Sequence, residues 1–568
     1  MKFLFLMEFH ANKSKKIAIA QNICYNIIII HYTYSLKLGG SFMEENTTKA
    51  IGSKNITSPK NKKKGYIASF SKSDELKFQS NGNGTCTVIG VCNHKNTVIE
   101  IPLRHNNEHV TNIGSHAFGG CKNLTSVLIP ESIKSIGDRA FCNCESLTDI
   151  VIPESVTSIG DGIFKGCRKL SNLSIPNSIT SIGNQAFREC GSLEQFKIPS
   201  SVTSIGDGAF RNCRSLISIE IPETVISMGN EVFFDCPNLT GVVIPNSISS
   251  IGHKLFKNCR ILTSIVIPDS VMTIGNQAFF GCKCLTSVVI GSNVTSIGNE
   301  AFGECTWLGE ITIPESVTKI GNRAFFRCKG LMSVTLGNNI TKIGAETFYE
   351  CYSLRNIEFP DSVKKIGNRA FYFCKSLSNI VIGNHVSRIG KEAFSLCTNL
   401  QHVTIPNKST AIGHEAFSAC KNLTSVSICG SMTRIGKRSF LSHYRFSIIF
   451  NWLLWLCSSW ANILSRQCLL GIGDFSFHGL PNLASVEIDG NTMIIGVGSF
   501  EDSGNLTSVT ITESVRVINY CAFADCKHLT TIQYKGTMAQ WNTIYKDKKW
   551  KMNSPIRRII CSDGTLFR

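Results

Sequence analysis

The chain has 568 residues, is 43% hydrophobic and 17% charged, and so has globular rather than disordered composition. That much apolar material builds a large core unaided, which excludes a small scaffold held by disulfides or metal. The net charge of +18 sits mainly at the ends: residues 1–112 hold 15 Lys/Arg and 7 Asp/Glu, residues 531–568 hold 8 and 2, and the middle holds 35 and 31.

Taken in chain order, residues 1–42 form an N-terminal segment with two apolar stretches. The first, Met1 to Met7, is broken at once by Glu8 and His10 and is too short for a good secretory signal. The second, Ile17 to Leu36, follows Lys13, Lys15 and Lys16 but carries Gln21, Asn22, Asn26 and His31, which makes it a poor membrane span. Met43 offers an alternative start. Residues 43–83 read as a polar, basic linker, in which Lys60, Lys62, Lys63 and Lys64 are a solvated run. Residues 84–112 precede the regular pattern and serve as an entry cap.

From residue 113 the chain is periodic. Ile-Gly stands at 113/114, 136/137, 159/160 and so on to 435/436, always 23 residues apart, with Met228 the one replacement for Ile. The register resumes at Ile472, Ile495 and Ile518. Each unit begins with a strand in which apolar residues such as Val127 and Ile129 alternate with outward polar ones. Pro130, Pro153, Pro176 and their successors to Pro268 end it, since Pro cannot donate to a ladder. A second extended piece such as Val156 to Ile159 runs into Gly160, which permits a tight turn. Asp138, Asp161, Asn184 and Asp207 are then expected to cap a single helical or 3-10 turn carrying Ala and Phe. Phe118, Phe141 and their successors to Phe523 fill one slot in all eighteen units and predict a core ladder. A 23-residue unit cannot bury its own apolar face, so units must stack at about 4.8 Å. The expected fold is an α/β repeat solenoid of short strands stacked into parallel sheets, with repeats over 113–440 and again over 472–533.

Fourteen Cys occupy one column at 23-residue intervals from Cys121 to Cys420, and Cys526 rejoins it. Stacked neighbours approach disulfide range, but parallel Cβ directions disfavour the bond. A ladder of small buried thiols acting as hydrophobes is expected, with pairwise disulfides the alternative. The Cys142/Cys144 and Cys282/Cys284 pairs lack zinc-type partners, so no metal or cofactor is expected. Free thiols in such number fit a reducing compartment.

Between Phe440 and Ile472 the spacing is 32 where 18 is the rule. Residues 441–471 are thus an apolar insertion, and Phe446 to Leu464 carries three Trp among aliphatics. A loop packed on the solenoid edge, or a retained intron, is favoured over a membrane-dipping or partner-binding patch. Membrane association through this stretch or through Ile17–Leu36 is not favoured. Residues 534–568, with Trp541 and Trp550, form an exit cap.

Motifs for nucleotide binding, metalloprotease chemistry or a serine nucleophile are absent, and the thirteen His share no column. His253, His385 and His402 are read as solvated or hydrogen-bonded surface residues, and His414-Glu415 lacks the second His of a metal helix. The near-neutral middle lacks the basic stripe with interleaved aromatics that nucleic acid requires, so none is expected as partner. Sequons at Asn123, Asn293, Asn339 and Asn505, among others, arise largely from the repeat word and say little about secretion.

Units such as Ile152 to Leu170, IPESVTSIGDGIFKGCRKL, resemble the BspA-type leucine-rich repeat. The entry, Cys86 to Pro102, and the exit, with Tyr534-Lys-Gly-Thr and Cys561-Ser-Asp-Gly564, are similar to the irregular ends of such proteins. The resemblance implies a non-enzymatic protein that binds a protein or extracellular macromolecule, in cell-surface contact or adhesion, and transfers no site residues. An intracellular scaffold is the alternative that the thiols favour. The outward slots of the first strand are the expected recognition face: Asp149, Glu194, Lys197, Glu220, Arg355, Glu358, Gln401 and His402.

Overall fold

The structure, a computed structural model, describes residues 75–405, 411–428, 434–441, 471–488 and 492–567. The stretches Ile17–Leu36 and Phe446–Leu464 lie outside them, as does the linker to residue 74. Two kinds of strand repeat along the described chain. The first has two to four residues, as in Ser126–Leu128, Asp149–Val151 and Ser264–Ile267. The second has two, as in Ser135–Ile136, Ser158–Ile159 and Lys342–Ile343.

Both kinds pair in parallel with the equivalent strand 23 residues on: Ile150 with Leu173, Ile265 with Val288, Ile182 with Ile205. Register is fixed because a one-residue slip would turn the buried Ile to solvent. The result is a parallel-strand solenoid. Its interior is filled by the Ile, Leu, Cys and Phe columns, whose members are almost wholly buried. The Phe rings stack face to face from Phe118 to Phe523, with Phe279 and Phe302 at 5.1 Å and Phe302 and Phe325 at 5.5 Å between centroids.

The expected helical turn is not formed. In its place two residues of each unit, four apart, take left-handed backbone: Arg139 and Asn143 (φ 55° and 59°), Arg323 and Arg327 (58° and 56°). A right-handed turn would point every N–H along its own axis. Left-handed residues interrupt that direction and aim alternate N–H groups at the next coil. Arg139, Phe141 and Asn143 donate to the carbonyls of Asp161, Ile163 and Lys165 at 2.8, 3.0 and 2.6 Å. These bonds form a third ladder and offset the strain of the left-handed residues.

The Asp/Asn column does not cap its own turn. Asp138 Oδ1 accepts the backbone N–H of Asp161 at 2.8 Å, Asp161 that of Asn184 at 2.7 Å, and Asn184 that of Asp207 at 2.8 Å. Each side chain thus caps the following coil. His253 takes the same slot and accepts from the Asn276 N–H at 2.9 Å through Nδ1. The Ile-Gly glycine is required by close approach of coils, not by its dihedral: a Cβ at Gly321 would lie 2.5 Å from Asn299 N and Gly298 C.

Coils before and after the insertion stack directly. Ile435 pairs with Ile472 and Val426 with Val486, and the Phe440 and Phe477 rings lie 4.6 Å apart. At the entry, Leu76–Ser80 folds antiparallel onto Thr85–Val91, which pairs in parallel with Glu108–Ile113. At the exit the one helix among the described residues, Met538–Thr543, is capped by Thr537 and buries Trp541 completely. Trp550 packs edge-on against Phe523 and ends the ring ladder. A hairpin of Arg558–Cys561 and Gly564–Phe567 closes the first sheet.

Candidate functional site

Every outward slot of the solenoid is positioned by a buried neighbour. On the first strand the inward Ile or Val alternates with outward residues, so three exposed columns run across the sheet. The expected recognition residues all fall in them and are all exposed. Glu194, Arg355 and Gln401 occupy the slot before the strand proper, Asp149 and His402 the next, and Lys197, Glu220 and Glu358 the slot between the two inward residues.

These residues share a face but form no single cluster. Lys197 Nζ and Glu220 Oε2 lie 3.8 Å apart, an exposed pair that contributes little. Asp149 accepts hydrogen bonds from Thr148 Oγ1 at 2.6 Å and Asn172 Nδ2 at 2.9 Å, and these hold its carboxyl below the usual range. His402 Nδ1 lies 2.7 Å from Ser425 Oγ. Arg355 and Glu358 sit two coils from that pair.

The same sheet carries residues that the polar reading passed over. Val243, Val266 and Val289 stand in consecutive coils of one column, 77%, 61% and 54% exposed. Lys197 and Glu220 precede them and Thr312 follows in the same column. The signal was present in the Ile-x-Ile alternation, which sends the middle residue outward whatever its polarity.

The outer face of the turns is different again, because its charges neutralise one another. Arg323 is held between Glu300 at 3.5 Å and Glu346 at 2.7 Å, and Arg369 is 2.7 Å from Glu392. Burial opposes ionisation of Glu392, yet hydrogen bonds from Arg369 and Lys391 outweigh it and keep the carboxyl below its usual range. Phe326, Tyr349 and Tyr372 stack beside these pairs at 5.2 and 5.0 Å.

The cysteine column is chemically quiet. The cysteines of the column form no disulfide and are buried. From Cys144 onward each thiol of the column donates to the carbonyl of a Phe in the coil before: Cys144 to Phe118 at 3.1 Å, Cys236 to Phe210 at 3.1 Å, Cys328 to Phe302 at 3.0 Å. The column therefore supplies donors as well as apolar bulk. Burial pushes Cys236 and Cys420 up to about 12 and Cys190, Cys259 and Cys397 well above their ordinary value. Cys121 begins the column, with His94 Nδ1 3.2 Å from its Sγ.

The Ser and Thr columns also bolt coil to coil. Ser178 Oγ donates to the Val156 carbonyl at 2.6 Å, and Thr203 Oγ1 to that of Thr180 at 3.2 Å. Among the sequon asparagines, Asn293 and Asn505 donate to the carbonyls of Asp269 and Pro481 at 2.9 and 2.6 Å.

This repeat chemistry is matched by the family described as the BspA type leucine rich repeat region, over residues 92–217, 203–332, 320–446 and 453–547. The chain belongs to that family. A leucine-rich repeat protein from Bacteroides ovatus is similar in structure at 32% identity, with a TM-score of 0.52, over 62% of this chain and 93% of that one. A leucine rich cell surface protein from Faecalibacterium prausnitzii matches at 23% identity and a TM-score of 0.25, over 84% and 98% of the two chains. The pneumococcal vaccine antigen PcpA matches at 15% identity and 0.31, over 87% and 99%. No curated protein matches the sequence. The BspA-type repeat is an interaction scaffold, and its recurring Ile, Leu, Phe, Cys and Gly columns are spent on packing or on bonds between coils.

Proposed function

We propose that this BspA-type protein is a non-enzymatic scaffold that binds a protein partner across its first sheet, in cell-surface contact or adhesion. The observation that carries the reading is the run of exposed Val243, Val266 and Val289 in three consecutive coils of one column. Neighbouring apolar side chains left in water on a regular surface mark an interaction patch, and the flanking charges supply its rim. The expected recognition residues Lys197 and Glu220 adjoin this column, so they join the proposed surface, whereas Arg355, Glu358, Gln401 and His402 lie farther along the array. The Val column is tested by photo-crosslinking the full chain on its native cells, comparing wild type with Val243→Ser/Val266→Ser/Val289→Ser. Loss of one discrete crosslinked protein supports the reading, and an unchanged pattern overturns it.

An intracellular scaffold is the second reading, favoured by the free thiols. The burial of the column weakens that argument, because a shielded, protonated thiol is a poor target for oxidation in either compartment. Staining live cells for a tag after Arg568, with and without permeabilisation, separates the two. Signal on intact cells supports the surface role, and signal only after permeabilisation rules it out.

A further inference from the structure

The second sheet carries a feature that its neutral surroundings conceal. Lys319, Lys342, Lys365 and Arg388 occupy the same outward slot in four consecutive coils, each beside a buried Ile, and Lys364 stands next to Lys365. Lys342 is the register partner of Lys365, and Lys365 of Arg388. Strand neighbours lie about 4.8 Å apart, and like charges in direct register repel. All five side chains are exposed, and none makes an ion pair among the described residues. The middle of the chain thus does hold a line of cations, though without the interleaved aromatics that a nucleic-acid groove requires.

Its carboxylates are directed elsewhere. In these coils Glu300, Glu346 and Glu392 clasp arginines on the turn face. Glu315, in the turn before Lys319, accepts from the Asn338 backbone, and Asp361 lies 3.8 Å from His385. From Lys134 to Ala411 no outward slot of the second sheet holds an acidic residue. Upstream coils place Ser158, Ser181, Ser204 or Ser250 where the cations stand, so a hydroxyl track leads into the stripe.

We propose that this stripe binds a linear polysaccharide bearing sulfate or carboxylate groups. The site is one column of fixed cations beside hydroxyls, which matches a polymer with anions at regular intervals along a hydroxylated chain. The outward slots of these four coils contain no aromatic side chain on which bases could stack, as single-stranded nucleic acid requires. Their two-residue strands offer no element to enter a duplex groove. No exposed apolar anchor accompanies the cations there, as insertion into a lipid surface would need. The site is on a different sheet from the proposed protein-binding column, so either reading can fail alone.

The test measures binding of the full chain to heparin, dextran sulfate and uncharged dextran over a range of salt. The stripe variant is Lys319→Ser/Lys342→Ser/Lys365→Ser/Arg388→Ser, which installs the residue the array itself uses upstream. The control, Lys548→Ser/Lys549→Ser/Arg557→Ser/Arg558→Ser, removes equal charge from the exit cap. The stripe variant is expected to weaken sulfated-polymer binding by about tenfold or more and to reduce the salt slope by about three, while the control changes it by less than about threefold. Without polymer the stripe variant is expected to melt no lower than wild type, because repulsion has been relieved. Equal losses in the two variants would overturn the proposal, as would single-stranded DNA or phosphatidylserine vesicles displacing heparin from the stripe at lower concentration than dextran sulfate does.

Discussion

Cys236 Sγ lies 3.1 Å from the carbonyl oxygen of Phe210, one coil earlier, and donates a hydrogen bond to it. That oxygen also accepts the Cys213 backbone N–H at 3.2 Å, so the thiol fills its second lone pair. At Ser503 a hydroxyl does the same work, donating to the Phe477 carbonyl at 2.7 Å. A hydroxyl can therefore take the place of the thiol as donor, and sulfur is not essential to the bond. Cys236→Ser is expected to cost less than about 1 kcal/mol. Cys236→Val removes the donor and overfills the slot, and is expected to cost about 2 to 4 kcal/mol. Urea midpoints of the two variants measure the difference; equal midpoints would show that the bond contributes nothing.

The same burial makes the solenoid labile to alkali. Burial pushes folded thiols such as Cys236, Cys420 and Cys526 up to about 12, above their value in the unfolded chain near 8.5. The folded state then binds more protons than the unfolded one, so stability falls as pH rises. The contribution is complete below pH about 8.5 and declines up to about 12, at about 1.4 kcal/mol per pH unit for each thiol ionised on unfolding. Replacing Cys236, Cys259 and Cys282 with Ser should flatten the fall in unfolding midpoint between pH 8 and 10. An unchanged slope in that triple variant would assign the alkaline lability to other groups.

Accessibility gives an independent check on the column. Cys92 is exposed and Cys142 and Cys284 are partly so, whereas Cys144 to Cys420 at the regular spacing are buried. Brief alkylation of the native chain, mapped site by site, is expected to modify Cys92 first among the described cysteines and to spare the column until denaturant is added. Modification of Cys259 or Cys305 at the rate of Cys92 would contradict the packing described.

What the sequence made legible was the repeat of each column; what it hid was each column's partner. Phe302 and Ile320 announce burial because hydrophobicity is a property of the residue itself, and the 23-residue interval then supplies the stacking. Cys236, Asp138 and Ser178 bond to backbone atoms in a neighbouring coil, and a backbone atom has no letter in the sequence. The helical turn that the sequence predicts gives way for the same reason: Arg139 and Asn143 are left-handed where Asp161 and Lys165 offer carbonyls one coil away. On the surface, Lys342 and Arg388 lie 46 residues apart and look unrelated until the register places both beside Lys365.

Two glycines separate coil contact from simple backbone freedom. A Cβ on Gly321 would lie 2.5 Å from Asn299 N and from Gly298 C, atoms that cannot swing aside. Gly241, on the first sheet, would meet nothing within 4 Å. Gly321→Ala is therefore expected to force coils apart and cost about 1 to 3 kcal/mol. Gly241→Ala is expected to be neutral or stabilising by about 0.4 to 1 kcal/mol, through loss of freedom in the unfolded chain. Thermal melts of both single variants check the pair, and comparable destabilisation by each would remove close approach as the reason for the column.

Phe302 stacks between Phe279 and Phe325 at 5.1 and 5.5 Å and is wholly buried. Phe302→Ala leaves a cavity that only adjoining coils can relax into, and is expected to cost about 3 to 5 kcal/mol. In a stacked array, stability is the sum of unit terms and nearest-neighbour terms, so the damage stays near its origin. Hydrogen exchange should accelerate in the coils around Phe279 to Phe325 while the amides near Phe141 and Phe500 keep their protection. Phe302→Leu, which refills most of the volume, should restore much of that protection. Uniform acceleration along the whole array in the Ala variant would mean that the solenoid unfolds as a single cooperative unit, against the nearest-neighbour account.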